Sequence, residues 1–173
     1  NETYLRPKSL ATDTATSIDV IYDALYWLKK HDVCMEHFIL LQPTSPLRTS
    51  NHINEAIELY EKSGAQSLIS VQKMTDHPYK CIDNSSTENW SYLRKNPSNL
   101  TRRQDYSNQF YSINGAIYIR NSEAFLESGQ LIEEGKTELY VMDEVSSVDI
   151  DTPVDLLIAE ACLNYRKKNK SEI

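Results

Sequence analysis

Apolar residues recur at helical spacing over residues 16–30, where Ile18, Ile21, Leu25 and Leu28 share one face. Thr16, with Asp19 three residues on, has the form of a capping box, and Lys29, Lys30 and His31 suit the negative end of the helix. The run His37-Phe38-Ile39-Leu40-Leu41-Gln42 is continuous rather than periodic and stops at Pro43. It predicts a strand buried on both faces. A second helix is expected over 50–63, with Ile53, Ile57 and Tyr60 inward and Gly64 as its stop. Ser67–Val71 reads as the next strand. Helix–strand–helix–strand order predicts a largely parallel sheet covered by helices, an α/β class.

Residues 77–112 break this rhythm. They are polar, rich in Asn and Ser, and hold Trp90, Tyr92, Tyr106, Phe110 and Tyr111. An inserted arm with short antiparallel strands is the expectation. Beyond it, Ala116–Ile119 reads as a strand, Ser122–Glu127 as a short helix, and Leu139–Met142 and Val148–Ile150 as extended segments. A last helix starts at Pro153 with Thr152 as its cap. Val154, Leu157, Ile158, Ala161 and Cys162 form its apolar face, and Arg166-Lys167-Lys168 its basic end.

Composition narrows the class. With 173 residues, 40% hydrophobic and 25% charged, the chain reads as one globular domain over 1–173, the 77–112 arm included. A net charge of −7 argues against nucleic acid or an anionic membrane as the partner. No apolar run approaches the ~20 residues of a membrane span, and no signal segment opens the chain. Cys34, Cys81 and Cys162 are widely spaced and read as reduced thiols, so a cytoplasmic location is expected. The four glycines build no GxxxxGK or GxGxxG loop, and the four histidines have no metal spacing.

Four stretches hold candidate chemistry. Leu40–Arg48, LLQPTSPLR, follows a strand, where open α/β sheets bind ligands. Its two prolines hold Gln42, Thr44 and Ser45 stiffly enough to hydrogen-bond a sugar; equally, the loop is a proline-stopped strand leading into a helix. In a strand, Asp149 and Asp151 would share a face and invite a hard cation such as magnesium. The alternative is that Asp151 caps the last helix and Asp149 is solvated. Arg102-Arg103-Gln104, with Asn114 further on, suits a carboxylate or phosphate, or a solvated polar face. Arg6, with Asp13, Ala15 and Ser17, reads as a buried arginine that meets a nucleotide or pairs with Asp13.

Taken together these residues resemble the acylneuraminate cytidylyltransferases, including the enzymes for pseudaminic and legionaminic acid. Four blocks match in order: RPKSLATDTATSIDV from Arg6, LLQPTSPLR from Leu40, RQDYSNQFYSINGAIYI from Arg103, and SVDIDTPVD from Ser147 with Ala159-Glu160. The resemblance implies a three-layer, Rossmann-like nucleotidyltransferase sheet with a protruding dimerisation arm at 77–112, and hence a homodimer. It implies CTP and a nonulosonic (sialic-type) acid as substrates, joined to give the CMP-sugar and pyrophosphate. Asp149 and Asp151 would hold magnesium, with Arg103 also catalytic. Gln42, Thr44, Ser45, Gln104 and Asn114 would line the sugar and phosphate site, and Arg6, Ala15 and Ser17 would lie near the cytosine.

Two departures qualify the match. The family's first-strand phosphate block, of the form IPARxGSKG…KN, has no counterpart here. The chain is therefore expected to start partway through the family domain, and to be inactive without a separate N-terminal piece. Ile132-Glu133 also stands near where some sialic-acid enzymes carry an aromatic pair, and the Arg103–Asn114 spacing is one residue longer. Both differences make a legionaminic- or pseudaminic-type sugar a rival to N-acetylneuraminic acid. The competing reading is a non-catalytic module that binds a sugar nucleotide or forms a dimer. Transfer to the eight-carbon sugar acid of lipopolysaccharide fits the motifs less well.

Overall fold

The computed structural model describes residues 3–85, 89–95 and 109–170. Helix α1 (Ser17–Lys30) begins at the expected capping box: Asp19 N donates to Thr16 Oγ1 at 3.1 Å, and Thr16 N donates back to Asp19 Oδ2 at 3.3 Å. Helix α2 (Ser50–Ser63) is capped by Thr49, with His52 closing the reciprocal bond. It stops at Gly64, whose left-handed φ of 67° is the expected glycine terminus.

The main sheet contains β1 (His37–Leu40), β2 (Ser67–Lys73), β5 (Tyr111–Asn121) and β6 (Thr137–Met142), in the order β1-β5-β2-β6. Only β2 and β6 are parallel neighbours; β5 runs antiparallel between β1 and β2. The largely parallel sheet read from the sequence is thus a mixed one. Likewise β1 is not buried on both faces. Among the described residues it pairs with β5 alone, and its side chains alternate between exposed and half-buried. An unbroken apolar run does not separate a central strand from an edge strand that is covered on one side only.

Helices cover both faces of the sheet, giving three layers. Leu68, Ile117, Ile119, Tyr140 and Met142 meet Ala56 and Tyr60 of α2. Strand side chains alternate in direction, so Phe38 and Leu40 turn to the opposite face. There they pack with Ile21 and Leu25 of α1 and Phe125 of α3 (Ser122–Ser128). At the same end of the sheet, the fully buried Arg120 is neutralised by Glu133, and Lys136 also binds that carboxylate at 2.9 Å.

Within the arm the described residues form a two-stranded ladder of β3 (Ile82–Asp83) and β4 (Ser91–Tyr92). Its root is an aromatic cluster, with the Phe110 ring 4.9 Å from His77 and 5.9 Å from Tyr79. Val148–Ile150, expected to be extended, joins no ladder. The last helix, α4 (Pro153–Lys170), starts where expected, with Thr152 and Asp155 exchanging bonds across its first turn. Its expected core face is a different matter. Val154 and Leu157 are 61% and 65% exposed, Ile158 and Ala161 are also exposed, and Cys162 is half-buried; among the described side chains of the helix only Ala159 is buried.

Candidate functional site

A widened stretch of β5 builds the site. Ile69 faces Tyr118 across the ladder, but Val71 faces Ile113, so β2 advances two residues while β5 advances five. The surplus is taken up by the buried stretch Asn114–Ile117. Buried polar groups close the gap that the bulge leaves. Ser70 Oγ donates to Asn114 Oδ1 at 2.6 Å and accepts from Ile117 N at 2.7 Å. Asn114 Nδ2 donates to Ser147 Oγ at 2.9 Å, and Ser147 Oγ donates to Asp143 O at 2.7 Å. This network ties the bulge to the turn that leads into Asp149.

Gly115 sits on the bulge with φ 71°. A Cβ at this position would run into Gln42 Oε1 and lie 3.6 Å from Asp149 Oδ2. Glycine is therefore what lets Gln42 reach the β5 backbone, with Asp149 at ordinary contact distance from the same point. The prolines stop β1 after Leu40, and the loop that follows delivers Gln42. Ile150 N donates to Thr44 O at 2.9 Å, fastening that loop to the Asp149 segment. Arg48 Nη1 donates to Gln42 O at 3.1 Å and to Ala116 O at 2.6 Å. Burial draws the Arg48 guanidinium below its usual pKa.

Two oxygens here are buried without a partner in the structure: Ser45 Oγ and Asp149 Oδ1. A buried carboxylate oxygen is costly unless a cation or donor meets it. Tyr118 lies beside the carboxylate. Its phenol is pushed above its ordinary pKa by burial and by the charge of Asp149. Among the described residues no group of three or more His, Cys, Asp or Glu side chains converges on a point. Magnesium does not need one, because it keeps several waters and accepts one or two protein carboxylates.

The sequence-derived candidates divide accordingly. Gln42 and Asp149 come together at Gly115, with Thr44 and Ser45 on the Gln42 loop. Asn114 is 4% exposed, and its amide is engaged with Ser70 and Ser147. Asp149 and Asp151 do not share a strand face, since no strand forms there. Asp149 is half-buried, whereas Asp151 is exposed, its N–H donating to Asp155 Oδ2. Arg6, expected to be buried, is exposed, and its Nε donates to Leu10 O at 2.5 Å. Ala15 is half-buried and Ser17 is exposed at the start of α1. Arg103 and Gln104 lie outside the described residues. Tyr118 was missed. The only signal for it was its place in Ala116–Ile119, where alternation turns it away from Ile117 and Ile119.

Over 167 residues the chain is 32% identical to the CMP-N,N'-diacetyllegionaminic acid synthase of Legionella pneumophila, covering 95% of itself and 70% of that protein. It is 36% identical over 177 residues to the N-acylneuraminate cytidylyltransferase of Escherichia coli O18:K1:H7. The chain belongs to the acylneuraminate cytidylyltransferase family. It spans 38% of the length of that E. coli cytidylyltransferase, although the match covers 98% of the chain itself. No family model matches. Among solved structures, a CMP:2-keto-3-deoxy-manno-octonic acid synthetase complexed with CTP superposes with a TM-score of 0.56, over 89% of this chain and 70% of that one. At 13% identity, that likeness supports the nucleotidyltransferase fold alone. The blocks on which the sequence resembles this family include the loop and the Asp149 segment that meet at Gly115.

Proposed function

We propose that this protein transfers the cytidylyl group of CTP to a nonulosonic acid, releasing pyrophosphate. The observation that carries this reading is the convergence of Gln42 and Asp149 on Gly115, with Asp149 Oδ1 buried and unpartnered. In the reaction, the anomeric hydroxyl oxygen of the sugar bonds to the α-phosphorus. The bond from that phosphorus to the pyrophosphate oxygen breaks, and the hydroxyl proton leaves to solvent. Positioning and charge neutralisation do most of such work.

Asp149, with Asp151 on the same segment, would hold magnesium. When bound, the metal neutralises phosphate charge and makes the sugar hydroxyl more acidic. Gln42 offers both an amide donor and an acceptor to the sugar, and its loop adds the hydroxyls of Thr44 and Ser45. The family resemblance supports Arg103, Gln104 and Asn114 near the sugar acid or the phosphates, and Arg6, Ala15 and Ser17 near the cytosine.

Homodimerisation through the arm belongs to the same proposal. Ile82 and Tyr92 on the two-stranded ladder, and Trp90 and Leu93 flanking it, are all more than half exposed. Such a ladder is marginal in water unless something packs on it. A cytoplasmic location is supported by the three free cysteines and by the absence, among the described residues, of a helix long and apolar enough to cross a membrane.

The test is magnesium-dependent pyrophosphate release by the full-length protein from CTP and a panel of sugars: N-acetylneuraminic, legionaminic-type and pseudaminic-type acids. Turnover with at least one is expected. CMP-sugar binding with no turnover on any of them would replace this reading with the binding module.

A further inference from the structure

The loop bearing Gln42, Thr44 and Ser45 is gripped from two sides by arginines that the chemistry above leaves unused. From within the loop, Arg48 Nη1 bridges Gln42 O and Ala116 O, joining the exit of β1 to the β5 bulge. From α4, Arg166 Nη1 donates to Leu47 O at 2.7 Å. The second amine of Arg166, Nη2, donates to Ser146 Oγ, on the turn that leads to Asp149.

The backbone needs this help. Leu47 and Ser45 are buried, yet the loop lies in no ladder, so its carbonyls need other partners. A planar guanidinium carries a fork of fixed donors that spans two acceptors on different segments. A lysine ammonium is a single point and does so less well. The register of the site therefore depends on two side chains that lie 118 residues apart in the chain (166 − 48 = 118).

We propose that Arg48 and Arg166 are positioning residues, clamping the Gln42 loop against the Gly115 bulge and the Asp149 segment. The kinetic part of this proposal rests on the cytidylyl-transfer reading; the mechanical part does not. If Arg48 lets go, Gln42 loses its register over Gly115. If Arg166 lets go, Leu47 and the Ser146 turn separate, and Thr44 no longer sits squarely before Ile150.

The test uses the full-length protein with Arg48→Met, Arg48→Lys and Arg166→Met. Ile150 N–H donates to Thr44 O across the clamped junction and is the reporter for amide hydrogen exchange. Exchange there should quicken about tenfold or more in both Met variants, the size expected for losing a hydrogen bond to a charged group. The amides of residues 67–71 in β2 should be unchanged. In pyrophosphate-release assays, KM for the sugar acid should rise more than kcat falls, and Arg48→Lys should recover melting temperature but only part of KM. Unaltered Ile150 exchange overturns the clamp, as does an equal acceleration through β2. If the wild-type protein shows no turnover, the cytidylyl reading fails, and the exchange measurement alone decides the clamp.

Discussion

Gly115→Ala separates the cost of a backbone conformation from the cost of misplacing the Gln42 loop. At φ 71° an alanine is strained by about 1–2 kcal/mol. For a domain of this size that lowers Tm by roughly 2–8 °C. The added methyl also runs into Gln42 Oε1, the far end of a flexible side chain, with Gln42 Cδ 3.4 Å away. That clash is relieved cheaply by swinging the amide aside, so it should add little to the loss of stability. It should instead displace Gln42 by about 1 Å, enough to lower kcat/KM about 100-fold. Gly64→Ala is the matched control. Its φ of 67° is nearly the same, and a Cβ there would meet nothing within 4 Å. Thermal melting and pyrophosphate release on the two variants give the answer. Similar Tm losses with a large activity loss only in Gly115→Ala are expected. Equal activity in both variants would refute the idea that Gly115 exists to admit Gln42.

Other consequences follow from the same geometry. Ser70→Ala leaves Ile117 N without its partner in the interior and Asn114 Oδ1 with Ala116 N alone; denaturant melts should show a loss of about 1–3 kcal/mol. Glu133 is held down to about 2 by hydrogen bonds from Lys136 and Arg120. A depressed carboxylate stabilises the fold above its unfolded pKa and loses that effect as pH falls. Acid titration should therefore erode stability from about 4.5 toward 2, and the double variant Arg120→Met/Glu133→Gln should lose that acid-side slope. If the proposed homodimer forms through the arm, Trp90→Asp with Leu93→Asp should convert it to a monomer in light scattering while leaving Tm nearly unchanged. Removing the arm's apolar groups without any change in mass would contradict its assignment as the dimer contact.

Local signals were legible in the sequence. The caps of α1 and α2 are short-range patterns, and Thr16 with Asp19, and Gly64, act as those patterns require. The direction of β5 was not legible, because it depends on how the chain returns through residues 77–112. The openness of β1 was hidden for a related reason. Phe38 and Leu40 pack inward while Ile39 stays 39% exposed, and all three are equally apolar. Gln42 and Asp149 could be named from motifs, but not brought together. Their meeting depends on the β5 bulge, and nothing in Asn114-Gly115-Ala116 alone announces five residues set against two. The even spacing of Asp149 and Asp151 suggested a shared face. The segment instead bonds to Thr44 O and turns into α4, leaving one carboxylate half-buried and the other in solvent.

The most direct test of the account is pyrophosphate release by the full-length protein carrying Asp149→Asn, assayed beside the wild type across a magnesium titration. The account predicts a loss of kcat of about 100-fold or more with the circular dichroism unchanged, because the variant keeps the shape but removes the charge that a cation needs. Wild-type turnover in the variant, with the same dependence on magnesium, would contradict the assignment of this site.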